Sequence, residues 1–267
     1  MRVNEKNPKL KKTVTVLVCA VLLLLMLLPG SIFRAASWQE LAERFRQNFI
    51  VDRRYMLIIK GLKNTLLITA GATLLGIVIG LVLSLIRVAY KAGAKVSILN
   101  EIANVYVTVI RGTPMMVQLM IWNFTIFASV RDLNVVAVAT LAFGVNSGAY
   151  VAEIFRAGIE AIDKGQMEAG RSLGLNYWQS MQKIILPQAM KNSLPVLINE
   201  FISLLKETSI AGYIAVDELT RAAQNIQSIT LESSQPLIMA ALIYLAIVLA
   251  LTAVMSKVEQ RLKRSER

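Results

Sequence analysis

The charged and polar residues set inside apolar stretches decide what chemistry this chain can do. Arg111-Gly112-Thr113-Pro114 interrupts one such stretch, with Gln118 just beyond it; Glu153 stands near the end of another, and Glu200, Lys206 and Glu207 share a third. Ionisable groups are costly in hydrocarbon, so they face protein or water, where they pair with one another or meet a charged solute. Bond-making chemistry is poorly provided for. There is no histidine, and the single cysteine, Cys19, lies within the first apolar run. His/Cys metal sites, disulfides and histidine-based triads are therefore excluded. No Gly-x-x-x-x-Gly-Lys-Ser/Thr loop is present to cradle the phosphates of ATP. Any energy input has to come from a partner or an ion gradient.

The elements that must position these residues are membrane helices. With 55% hydrophobic residues and a mean hydropathy of +0.56, the 267-residue chain is too apolar for a soluble domain, where roughly 45–50% is usual. Apolar runs at 13–29, 62–86, 133–152 and 236–256 are each near the ~17–25 residues that cross the hydrocarbon as a helix. Two further runs, 98–130 and 194–216, carry the charges named above and complete an expected six spans. With the N-terminus inside, the cytoplasmic segments 1–12, 87–100, 156–193 and 257–267 hold 18 of the 29 Lys and Arg residues, against 8 in the external ones. That bias places both termini in the cytoplasm. It also accounts for most of the net charge of +12, so nucleic acid is not an expected partner. In the external 30–61 segment, Trp38, Leu41, Phe45 and Phe49 recur at helical spacing opposite Glu40, Glu43, Arg44 and Arg46; this predicts a helix lying in the outer interface, a solvated linker helix being the alternative. Lys9, Lys11 and Lys12 before an apolar run, with Ala35-Ala36 after it, resemble a signal peptide, but the run is long for a cleaved signal and reads as a retained span.

The cytoplasmic stretch 156–193 holds two helix starts: Asp163 with Gln166, and Asn176 with Gln179, each fit an N-cap with a reciprocating Gln three residues on. Gly174 supplies a tight turn between them, and Pro187 marks the expected end of the second helix. Tyr177, Trp178, Met181, Ile184 and Ile185 give that helix more apolar surface than a free loop would expose, enough for both the bundle and a partner. The run 98–130 is too long for one straight crossing. A break at Gly112-Thr113-Pro114 frees backbone groups that protein or a water-filled cavity must satisfy, and broken helices often flank substrate sites; a packing kink with Arg111 at the cytoplasmic boundary fits equally. Glu153 lies about 20 residues into its span, ~30 Å from the outside. It suits either a cationic solute group or pairing with Arg111 or Arg156. Thr65 and Thr69, four apart, either line a cavity or bond their own and neighbouring helices. Asn123, Asn146 and Ser147 face the bundle interior by expectation. Glu200, Lys206 and Glu207 read as a charge network within the bundle or as a gate.

Several of these residues stand in a specific order. Glu168-Ala169-Gly170, three residues, Gly174, nine residues, Ile184, one residue, Leu186-Pro187 resembles the loop of the permease subunits of bacterial ABC importers. Arg111-Gly112-Thr113-Pro114 with Val117-Gln118-Leu119, the run Ala149-Tyr150-Val151-Ala152-Glu153-Ile154-Phe155-Arg156-Ala157-Gly158-Ile159, Ser172-Leu173-Gly174-Leu175, and Leu205-Lys206-Glu207-Thr208-Ser209 resemble the polar amino acid branch of that family. Gly61-Leu62-Lys63-Asn64-Thr65-Leu66 resembles its first core helix. Gly170 stands where the family usually has Ala, which would loosen the first loop helix by ~1 kcal/mol at most.

The resemblance implies an all-α polytopic membrane protein with a five-helix permease core at 61–256. The chain adds an extra N-terminal helix within 1–60 and a basic tail at 257–267. It implies that Glu168, Ala169, Gly170, Ser172, Gly174 and Leu175 dock on a separate ATPase and that the cargo is a polar or charged amino acid; Thr65, Thr69, Arg111, Thr113, Pro114, Gln118, Asn146 and Glu153 are the residues read above as candidates for its path. ATP and magnesium would bind to the partner ATPase dimer, and this chain would carry no cofactor. A second permease copy or a similar permease and an extracytoplasmic amino-acid-binding protein would complete the assembly in the inner membrane. An ion-coupled secondary transporter would need an internal repeat that the two halves do not display. A membrane assembly subunit would leave the ordered motifs unexplained.

Overall fold

The computed structural model describes residues 38–264, apart from 131 and 133, with side chains as far as Ser256; the expected span at 13–29 and its signal-like flanks lie outside the described residues. Among the described residues there are helices and no strands. They run α1 (Trp38–Phe45), α2 (Tyr55–Lys91), α3 (Ser97–Gly112), α4 (Met115–Ile121), α5 (Val135–Glu160), α6 (Lys164–Ser172), α7 (Tyr177–Ser180), α8 (Leu186–Glu207), α9 (Leu219–Thr230) and α10 (Gln235–Arg264). α2, α5 and α10 are each long and apolar enough to cross a membrane, and α3 with α4 and its extension forms a fourth, bent candidate.

α2 and α5 are the central pair, and side-chain size rather than polarity brings them together. The buried face of α2 recurs every three or four residues as Thr69, Ala72, Gly76, Gly80 and Ser84, a row of small side chains on one side of a helix whose other sides carry Leu, Ile and Val. α5 answers with Gly144, Gly148 and Ala152. The fit is reciprocal. A Cβ on Gly76 would lie 2.8 Å from Ser147 Oγ, one on Gly80 2.9 Å from the Ala152 backbone nitrogen, one on Gly144 2.9 Å from Leu75 Cβ and one on Gly148 2.8 Å from Ile79 Cβ. Close backbone approach is the main source of helix association where lipid competes for apolar contacts. It leaves α5 well enclosed, with 61% of its apolar window buried, whereas α10 has 6% and turns its apolar surface outward.

The polypeptide bends by 107° between α3 and the α4 extension that ends at Ile126, because Pro114 is extended (φ −63°, ψ 134°) and cannot continue the helix. At the end of the bundle opposite the 161–185 loop, the amphipathic helix foreseen around Trp38–Phe49 does form: α1 leads through a wide turn to buried Asn48 and Phe49. Asn48 Nδ2 donates to Gln235 Oε1 at 2.8 Å, and Phe49 joins Ile58, Leu219, Ala223 and Ile226 in an apolar cluster. This segment is thus packed on the bundle as well as amphipathic.

One boundary differs from the sequence expectation. Pro187 does not end the second loop helix: α7 runs through a wide turn at Met181–Ile185 straight into α8, with Pro187 in its first turn. The wide turn shifts the hydrogen-bond register, the Leu186 N–H bonding to the Met181 carbonyl. Pro187 thereby falls where a helix needs no donor from it.

Candidate functional site

The break between α3 and α4 is closed by a single side chain. Gln118 is buried, and its Nε2 donates to Ile110 O at 2.7 Å, to Thr113 O at 3.1 Å and to Thr113 Oγ1 at 2.7 Å. Thr113 Oγ1 in turn donates to Val109 O at 2.9 Å. Asn146, buried in the middle of α5, orients the Gln118 amide by donating from Nδ2 to Oε1 at 3.1 Å. The carbonyls freed by Gly112-Thr113-Pro114 are therefore satisfied by protein groups, which is what the membrane requires of irregular backbone. Gln118→Leu is expected to leave the Ile110 and Thr113 carbonyls without this donor and to destabilise the bundle by about 2 kcal/mol. A lowered thermal unfolding midpoint in detergent would register it, and an unchanged one would remove Gln118 from this role.

At the end of the bundle next to the loop, Glu153 sits among three guanidinium groups. Arg156, one turn on, donates to both of its oxygens. Arg87 of α2 approaches to 3.5 Å and Arg111 to 3.9 Å. Arg111 also lies 5.3 Å from the centre of the Tyr150 ring, a cation–π distance. Arg156 also bonds Glu160, which takes Lys91 at 3.2 Å. The expected partners Arg111 and Arg156 are both present; Arg87 was missed, because its 66-residue separation from Glu153 leaves no local pattern.

Thr65 and Thr69 are fully buried on α2: Thr69 donates to the Thr65 carbonyl at 2.7 Å, and Thr65 Oγ1 accepts the Leu219 N–H at 3.1 Å. The second of these bonds ties α2 to the start of α9. There Glu218, also fully buried, caps α9 by accepting from the Thr220 and Arg221 backbone at 2.7 and 2.6 Å and receives the Tyr244 hydroxyl at 3.1 Å. Burial raises the Glu218 pKa, and these hydrogen bonds pull it back.

The three charges of α8, expected as a network within the bundle or as a gate, are only partly enclosed. Glu200 is half-buried, but Lys206 and Glu207 are exposed, and among the described residues none of the three forms an ion pair. Adjacent residues on a helix point about 100° apart, so Lys206 and Glu207 cannot both face a partner across one interface. Glu200 and Glu207, seven apart, share a face instead.

The 161–185 loop presents a built surface. Asp163 caps α6 by accepting the Gly165 N–H, and the complete reciprocal box forms at the second start, where Asn176 and Gln179 exchange bonds of 2.9 Å. α6 ends in a Schellman turn: the Leu175 N–H bonds to Gly170 O at 3.1 Å and the Gly174 N–H to Arg171 O at 3.0 Å. Gly174 has φ +83°, with open space where a side chain would go. Its requirement for glycine is thus conformational, worth about 1–2 kcal/mol against an L-residue. Gly170 proves to be a contact rather than a slack point: it is buried, and a Cβ there would lie 2.8 Å from both Ser180 Oγ and Ile184 Cδ1. With that side fastened to α7, Glu168, Ala169, Ser172 and Gly174 face outward and Leu175 is half-buried. Leu173, part of the Ser172–Leu175 motif but not of the expected docking set, is 82% exposed beside them, and Trp178 is 42% exposed. Met181 and Ile185 turn the opposite way onto Val88.

Comparison with known proteins adds to this geometry. Residues 76–264 match the family described as binding-protein-dependent transport system inner membrane component. The arginine transport system permease protein ArtQ of Bacillus subtilis is 40% identical over 78% of this chain and 94% of its own length. The L-cystine transport system permease protein TcyB of the same organism is 42% identical over 73% of this chain and 84% of its own. A crystal structure of an amino acid ABC transporter with histidines superposes with a TM-score of 0.73 at 39% identity, covering 80% of this chain and 98% of that one.

Proposed function

Since the chain belongs to the family of inner-membrane components of binding-protein-dependent transport systems and is a permease subunit of an ABC importer, we propose that it carries a polar or charged amino acid and receives its driving motion through the 168–187 loop. The amino acid class is supported by the similarity to permeases named for arginine and cystine. The observation that carries the coupling role is the outward face of Glu168, Ala169, Ser172 and Leu173 on a helix whose other side is fastened to α7. Small side chains let an ATPase groove close around this helix, Leu173 supplies apolar contact, and Glu168 meets a basic group of the partner. Hydrolysis then takes place on the partner ATPase pair, with ATP and magnesium held there.

In this reading the loop end of the bundle faces the cytoplasm, as do both termini, and the end bearing α1 and α9 meets an extracytoplasmic binding protein. Residues 61–256 form the permease unit, which pairs with a second copy or a similar permease. The translocated amino acid passes near the α3–α4 break, where Arg111, Thr113 and Pro114 are exposed while Thr65, Thr69, Gln118 and Asn146 hold the wall behind. ATPase activity of the reconstituted complex, with its binding protein, should be stimulated by one or a few polar amino acids among the twenty. Stimulation by a sugar or a peptide and by no amino acid would sink the substrate class.

A further inference from the structure

A cavity of about 230 Å³ lies between the ends of α2, α3 and α5 nearest the loop and the start of α7. Arg87, Lys91, Arg156, Asn100 and Asn104 are among its lining residues, as are Val88, Ile159, Met181, Tyr90 and Tyr177. Glu160 is the single acid in the lining, already bonded to Lys91 and Arg156. Arg87 is the unusual member. Its Nε and Nη1 are buried without a hydrogen-bond partner; the nearest acid, Glu153, stands 3.5 Å from Nη1 and is itself bonded by Arg156. The cavity therefore sets three cations against one lining acid beside apolar and aromatic side chains.

We infer that this cavity binds the phosphate of an anionic phospholipid headgroup from the cytoplasmic leaflet. The orientation rests on the function proposed above. The phosphodiester sits between the Arg87 guanidinium and Lys91, while the glycerol and upper acyl carbons lie on Val88, Ile159 and Met181. Basic pockets between membrane helices at that depth recognise such headgroups by charge and hydrogen bonding. Tyr177 and Met181 belong to the helix that leads out of the loop, so a bound lipid braces the loop against α2.

The test is to purify the full chain, with whatever partner subunits it retains, in detergent containing equal phosphatidylglycerol and phosphatidylcholine. Lipid bound to the permease is then counted by native mass spectrometry. Phosphatidylglycerol should be enriched about fivefold. Arg87→Gln should bring the ratio close to one. Lys91→Gln, at an exposed position that folding tolerates, should lower it by about half. Equal retention of the two lipids by the unaltered chain, or an undiminished ratio in both variants, overturns the site. Saturable binding of inorganic phosphate without lipid preference assigns the cavity to a free anion and also overturns it. The ratio is read on the permease itself, so a preparation that enriches the anionic lipid but brings down no ATPase counts against the proposed function and leaves the lipid site standing.

Discussion

Replacing Glu168 with Lys is expected to leave a folded complex that hydrolyses ATP slowly and takes up no substrate. Glu168 is on the exposed side of α6, so the folded bundle has little at stake in its charge. In the docked state proposed above it would be closed in by the ATPase, and reversing a charge that is paired across an interface costs about 2–5 kcal/mol. Gly174→Asp should act at the same joint by another route. Its backbone sits at φ +83°, so an L-residue strains the Schellman turn and swings α6 relative to α7. Uptake of labelled amino acid into vesicles, measured beside the yield of co-purified ATPase, separates the two effects: Glu168→Lys should lower the ATPase yield, and Gly174→Asp should keep more of it and still lose uptake. Full uptake by both variants would remove the loop from its proposed role.

Gly80→Leu should prevent the bundle from forming, at a cost of about 3 kcal/mol or more, since side chains forced into a packed interface typically cost 1–3 kcal/mol even when neighbours can yield. Here the neighbour is the Ala152 backbone nitrogen, 2.9 Å from the first added carbon, and backbone inside a helix cannot rotate away. Gly112→Ala is the matched control, because a Cβ there meets nothing within 4 Å. The recovered monodisperse protein and its thermal unfolding midpoint report the difference. A Gly80→Leu protein as stable as Gly112→Ala would mean that the α2–α5 contact is not what holds the helices together.

Features that depend on local chemistry were legible in the chain. Length and hydropathy alone announce α2, α5 and α10, the Gly-Thr-Pro run announces the bend before α4, and Asn176 with Gln179 announces the start of α7. Features that depend on distant partners were not. Gln118 seals the break because Asn146, 28 residues away, turns its amide; Arg87 reaches Glu153 only because the small-residue stripe sets α2 against α5. α9 has no apolar run to betray it, and its cap, Glu218, looks like any surface acid until Tyr244 and the packed helices enclose it. Pro187 differs for a related reason: a shift of hydrogen-bond register five residues long has no sequence signature, so a residue that normally stops a helix reads as a stop. At Lys206 and Glu207 the sequence supplied charges without telling which way each faces.

The unbroken passage from α7 through the wide turn into α8 gives the chain a lever arm. From Tyr177 to Glu207 the helical path is 31 residues long, ~45 Å at 1.5 Å per residue, with its short end at the exposed Trp178 and its long end alongside Glu200. If the path moved as one piece about the seat of Met181 and Ile185 on Val88, displacement would be amplified in proportion to its two lengths. A small stroke delivered near the pivot would thus become a several-fold larger sweep at the remote end. Bending would concentrate at the wide turn and at Pro195, the two places where the rod is softest. The compliance of those few residues then governs how much of an applied torque is transmitted and how much is lost.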